Sequence, residues 1–148
     1  MRLGITNDHR GYKLKVELLE KLKKSYEIID YGATSTESVD YPDYAFKLGE
    51  ALANKEIDFG IAICGSGIGI SIACNKVKGV RAARVTNIED VLETRNDNDA
   101  NIICLNEKMD ANDAYNLIIT FITTPFSTDE RHLRRVNKIK AYEVKNER

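Results

Sequence analysis

Phe59-Gly60-Ile61-Ala62-Ile63-Cys64-Gly65-Ser66-Gly67-Ile68-Gly69 decides the fold. Its first six residues are almost continuously apolar. Such a run needs cover on both faces, as a central strand of a parallel sheet has. Glycines at alternate positions then break it, and residues 70–76 read as a helix. On the N-terminal side, residues 2–6 form a short, partly β-branched run that stops at Asn7-Asp8. Residues 10–24 place Leu14, Leu18, Leu19 and Leu22 at helical spacing among charges. A second short strand is expected over 27–31, and a helix over 43–54 with Pro42 suited to its first turn. On the C-terminal side the reading gives a strand at 80–85, a helix at 87–94, a strand at 100–105 and a helix at 111–123, closed by Pro125. A long amphipathic helix at 128–146 ends the chain. This alternation predicts an α/β domain over 1–148 with a mostly parallel, five-stranded sheet and right-handed crossovers. A final amphipathic helix with no strand after it is expected at a dimer interface.

The formal net charge of the 148 residues is −1, with 30% charged side chains, a balance unlike that of nucleic-acid-binding domains. The distribution is uneven. Residues 128–148 carry seven Lys/Arg against four acids, so this tail is +3 and residues 1–127 are −4. A local basic patch suits an anionic small molecule or an acidic partner surface. The three cysteines show no CxxC spacing and read as reduced and intracellular. The start is unlike a signal peptide, and no stretch approaches the ~20 apolar residues of a membrane span. A cytoplasmic protein with no membrane or nucleic-acid partner is expected.

Ligands of open parallel sheets bind at the carboxyl ends of the strands. Those ends carry Asn7-Asp8-His9, the 64–69 loop, Thr86-Asn87 and 106–108. Gly65, Gly67 and Gly69 let the loop turn its N–H groups inward, and the helix that follows adds free donors. The result is a site for a phosphate or a developing oxyanion. The spacing GxGxG lacks both the dinucleotide fingerprint and a following Gly-Lys-Ser/Thr, which argues against a nucleotide. Cys64 lies at the mouth of this site, where a helix start favours a thiolate. It reads equally as nucleophile or base and as a buried structural cysteine. Cys74 and Cys104 read as core. Asp8 and His9 read as a ligand-facing pair or as a helix cap beside an exposed imidazole. Arg131 and Arg135 share one helix face, as a phosphate clamp or as a solvated surface. With two histidines and no ligand spacing, a zinc site is not expected.

Six ordered motifs carry a resemblance. They are Asn7-Asp8-His9-Arg10-Gly11, Glu37-Ser38-Val39-Asp40-Tyr41-Pro42, the segment from Ile63 to Ser71, Asn75-Lys76-Val77, the segment from Arg95 to Asn101, and Arg131-His132-Leu133-Arg134-Arg135. From residue 2 to about 140 the chain resembles the family of ribose-5-phosphate isomerase type B and galactose-6-phosphate isomerase subunits. The resemblance implies a Rossmann-like three-layer sandwich, a homodimer or dimer of dimers with active sites between subunits, and a place in pentose phosphate metabolism. It implies aldose–ketose isomerisation of a sugar phosphate through a cis-enediolate, without metal or cofactor. By position, Cys64 matches the general base and Ser66 a proton shuttle. Gly65, Gly67 and Gly69 match the enediolate loop, and Asp8 and Tyr41 match sugar contacts. His9, Arg131 and Arg135 match phosphate ligands, and Lys108 stands where many relatives have an arginine near the phosphate. Asn98 matches a residue supplied by the partner chain.

Asp97 departs from the pattern. Many relatives have a ring-opening histidine there, and a carboxylate is a weaker acid–base catalyst near neutral pH. The expected substrate is ribose 5-phosphate. An allose or galactose 6-phosphate, and a non-catalytic sugar-phosphate-binding subunit, are the alternatives. The β/α alternation alone also fits a flavodoxin-like or response-regulator module.

Overall fold

The computed structural model describes residues 1–146. Glu147 and Arg148, counted above in the charge of the tail, lie outside the described residues. The elements run β1 (Arg2–Asn7), α1 (Tyr12–Leu22), β2 (Glu27–Asp30), α2 (Tyr41–Ala53), β3 (Phe59–Cys64), α3 (Ile68–Cys74), β4 (Ala82–Arg84), α4 (Ile88–Asn98), β5 (Ile102–Asn106), α5 (Ala111–Thr123) and α6 (Glu130–Lys145). The five strands stand in the order β2-β1-β3-β5-β4, and every neighbouring pair is parallel. The "mostly" of the sequence reading is thus unneeded.

β3 is central, and its alternation explains the continuous apolar run. Ile61 and Ile63 enter the layer of α1, α4 and α5 with Leu14, Leu18, Val91 and Phe121. Ala62 and Cys64 enter the opposite layer with Leu48, Ile70 and Cys74. β5 repeats the pattern, with Ile103 and Leu105 on the first side and Ile102 and Cys104 on the second. Each fully buried aliphatic side chain here contributes roughly 1.5–3 kcal/mol.

The largest boundary difference is in α4, which continues through Asn98 where the sequence suggested an end near residue 94. Two structural groups carry it on. Arg95 is buried, lies over the rings of Phe59 and Phe121, and donates to the Thr124 and Ala100 carbonyls. Asp99 ends the helix in the left-handed region (φ 49°) and pairs with both Arg81 and Arg95. The run 95–99 therefore looks like a polar loop in sequence and is the last turn of a helix. α3 begins earlier than expected because Gly67, at φ 77°, starts it directly after the loop.

Candidate active site

Strand order reverses between β1 and β3. The chain leaves β1 toward β2 on one side and returns to β3 on the other. In open α/β sheets the crevice outside such a switch point is where ligands sit. The two loops beside it carry Asp8-His9 and Cys64–Gly69, and the Asp8 N–H bonds the Ile63 carbonyl at 3.2 Å. Asp8 is buried, and its Oδ1 accepts the Arg10 and Gly11 N–H groups, both at 3.0 Å. The carboxylate thus braces the turn before α1 and does not cap the helix, whose N-cap, Gly11, has no side-chain cap. His9 is fixed differently. The Val39 N–H donates to its Nδ1 at 3.2 Å, so the ring proton sits on Nε2 as a donor.

Cys64 is 4% exposed, and its Sγ accepts the Gly67 N–H at 3.2 Å. The Ser66 hydroxyl oxygen accepts the Ile68 N–H at 3.1 Å. Two loop donors are thus engaged at rest. The N–H groups of Gly69 and Ile70 find no acceptor among the described residues. Of the three loop glycines, Gly67 alone has positive φ. Gly65 and Gly69 serve close approach instead, with the Arg10 guanidinium against Gly65 and the Tyr41 ring against Gly69. Tyr41 heads α2, just before Pro42, and is partly open to solvent. A hydrogen bond with Cys74, reinforced by complete burial, pushes the Cys104 thiol well above its ordinary range. Both Cys74 and Cys104 belong to the core, as expected.

The remaining candidates divide between the two ends of the sheet. Lys108 is at the same end as Cys64, beside Asn106, whose Oδ1 accepts its backbone N–H at 2.9 Å. Asp97 and Asn98 end α4, just before β5 begins, and the Asn98 carbonyl accepts from Arg81 next to the start of β4. They lie at the N-terminal edge, the length of a strand from Cys64, roughly 16 Å for five residues. Arg131 and Arg135 follow them there on α6, because His132 Nε2 stands 3.5 Å from Asp97 Oδ1. Arg131 pairs with Asp129, and both arginines are exposed. Within one chain the structure therefore brings together Asp8, His9, Tyr41, the 64–69 loop and Lys108, and leaves Asp97, Asn98, Arg131 and Arg135 apart from them.

Three residues were given no role by the sequence reading. Arg10 and Arg84 both reach the glycine loop, Arg84 by an Nε bond to the Ser66 carbonyl at 2.9 Å. Arg84 is the last residue of a strand, and the strand-end rule points to it once β4 is known to stop there. His132 brings an imidazole to the position where Asp97 stands, from an element 35 residues further on.

The family model described as Ribose/Galactose Isomerase matches residues 3–139. The chain belongs to the ribose/galactose isomerase family. The Escherichia coli ribose-5-phosphate isomerase B is 36% identical to this isomerase over 137 residues, covering 92% of each chain. The solved ribose-5-phosphate isomerase B of Clostridium thermocellum superposes with a TM-score of 0.93 at 47% identity, over 98% of this chain and 99% of its own. That of Mycoplasma genitalium, solved with bound ribulose 5-phosphate, gives 0.90 at 35% identity, over 98% and 97%. The chain is thus a sugar-phosphate isomerase of the aldose–ketose class with the Rossmann-like fold expected. No helix among the described residues is long and apolar enough to cross a membrane.

Proposed function

We propose that this chain, as one isomerase domain over 1–148, interconverts ribose 5-phosphate and ribulose 5-phosphate with Cys64 as base. The observation that carries the reading is the Cys64 thiol at the switch-point crevice, bonded by the Gly67 N–H and close to two unused N–H donors at the start of α3. The Cys64 thiolate takes the C2 proton of the open-chain aldose. The electron pair forms the C1–C2 double bond, and the carbonyl electrons move onto O1. The Gly69 and Ile70 N–H groups suit that oxyanion. Cys64 then returns the proton to C1, and the Ser66 hydroxyl passes the O2 proton toward O1, which leaves the ketone at C2. Asp8 and Tyr41 hold sugar hydroxyls. His9, Lys108, Arg131 and Arg135 hold the phosphate. Ring opening falls to the Asp97–His132 pair with Asn98 beside it, since the imidazole supplies the acid–base group that a carboxylate alone lacks.

Residues at opposite edges meet only if a second copy brings its far edge to this crevice, so the working unit is a dimer. Exposed apolar pairs support that assembly: Ile68 with Ile72 on α3, Ile88 with Leu92 on α4, and Leu133, Ile139 and Tyr142 on α6. Each pair on α3 and α4 is spaced i, i+4 and forms an uncovered ridge.

Ribose 5-phosphate in D₂O, followed by NMR, tests the reading. Exchange at C2 and ribulose 5-phosphate are expected, with a loss of about 10³-fold or more in Cys64→Ala. Undiminished turnover in the variant removes Cys64 as base. Turnover of allose or galactose 6-phosphate alone moves the substrate assignment to a hexose phosphate.

A further inference from the structure

The glycine loop has a second side. Cys64 faces the layer of α2 and α3, whereas Gly65, one residue on, faces Arg10 at the head of α1 in the opposite layer. There a cavity of about 310 Å³ is lined by Arg10, Gly65, Ser66, Arg84, Asn106 and Lys108. Three cationic side chains converge on one space. Arg84 is anchored through its Nε to the Ser66 carbonyl at 2.9 Å, and Arg10 through its Nε to Glu107. Among the described residues no carboxylate pairs with Arg84 or Lys108. With Glu107 counted, the wall keeps a surplus of two positive charges. Cations on a merely solvated surface spread apart to reduce repulsion. The two arginines are held at their Nε atoms, which leaves guanidinium edges for an outside acceptor.

We propose that Arg84, with Arg10 and Lys108, seats a phosphate dianion on this side of the loop. A dianion matches the surplus charge, and its several oxygens match converging N–H donors. This extends the phosphate recognition proposed above by two residues. It rests on the isomerase reading only for the source of the phosphate, which is either the substrate's own group or a separate free ion.

Inorganic phosphate titrated calorimetrically into the full-length protein tests it without any turnover. Arg84→Leu is expected to weaken phosphate binding about tenfold, as for the loss of one charge-assisted contact, and Arg84→Lys to recover part of it. Equal affinity in wild type and an Arg84→Leu variant of unchanged melting temperature overturns the proposal. Should that variant melt early, Arg10→Leu in the same titration decides by the same two outcomes. Competition between phosphate and ribose 5-phosphate, with KM raised about tenfold and kcat within about twofold in Arg84→Leu, assigns the seat to the substrate's phosphate. Phosphate binding that persists beside saturating sugar phosphate assigns it to a separate ion. Absence of turnover on every sugar phosphate defeats the isomerase reading and leaves the titration result standing.

Discussion

The two edges of the sheet are built to different degrees of completion. At the carboxyl edge the chain meets its own needs. Asp8 caps the turn after β1, Val39 fixes His9, Gly67 bonds Cys64, and Arg84 ties down Ser66. At the amino edge, α6 buries only His132 and Val136 and keeps its arginines and apolar side chains in solvent. One edge holds the thiol proposed as base and two free N–H donors. The other holds cations and an imidazole–carboxylate pair with nothing to act on. On the proposed reading a protomer therefore carries both halves of a site and cannot close them on each other, because the sheet stands between.

Mixing two inactive variants tests this most severely. Cys64→Ala disables the carboxyl edge, and Arg135→Ala disables the amino edge. In a mixed dimer one crevice receives both faults and the other receives neither. With random exchange of subunits, activity is expected to rise from near zero to about a quarter of wild type. No recovery after confirmed subunit exchange would place the complete site within one chain and abolish the division between edges.

That division also explains what could be read in the sequence. The apolar run 59–64 and the Gly-Ser-Gly loop act through near neighbours, so β3, the crevice and the loop that carries Cys64 were legible from local pattern. Leu14, Leu18 and Leu22 announced α1 in the same way, and all three are buried. The end of α4 was not legible. Asn96-Asp97-Asn98-Asp99 has poor helix propensity, and the groups that extend the helix, Phe59, Phe121 and Thr124, are remote in sequence. Arg10 and Arg84 were missed for the same reason, since their meeting at Gly65-Ser66 depends on strand order. The resemblance supplied roles for Arg131 and Arg135. Their separation from Cys64 became visible only once the helix-to-strand path fixed which end each occupies.

Each edge has one glycine in the left-handed region, which allows a matched comparison of smaller effect. Gly67 has φ 77° and Gly79 has φ 88°. A Cβ on Gly67 would lie 3.0 Å from the carbonyl carbon of Leu105, whereas a Cβ on Gly79 meets nothing within 4 Å. Alanine at either position carries a backbone penalty of about 1–2 kcal/mol. At Gly67 the loop must also shift, and with it the N–H that holds the Cys64 sulfur. Gly67→Ala is expected to lower kcat by about tenfold or more, and Gly79→Ala to lower only the stability. Steady-state kinetics beside thermal melts reads both. Equal losses of kcat would show that the carboxyl edge tolerates displacement as well as the amino edge does.

The smallest effect comes from behind the carboxyl edge. Lys15, 2% exposed on α1, donates to the Asp30 carboxylate at 3.0 and 3.3 Å and to the Ala33 carbonyl at 2.7 Å. It joins α1 to the segment that runs on to Val39 and so to His9. The two partners are unequally placed, because the Asp30 side chain is 37% exposed. Without the lysine, the carboxylate turns to water. Without the carboxylate, a buried ammonium keeps one carbonyl, and Gly32 also loses its acceptor Asp30 Oδ1. Asp30→Ala should therefore destabilise by about 2 kcal/mol and Lys15→Met by less, the full penalty of a broken buried pair being reduced by the exposure of Asp30. Urea unfolding gives the order, and a KM raised a few-fold with kcat retained shows whether the strain reaches His9. If Lys15→Met proves the more damaging, the ammonium matters as a strut for the segment itself. The carboxyl edge would then depend on its supporting layer as much as the amino edge, on the proposed reading, depends on a partner.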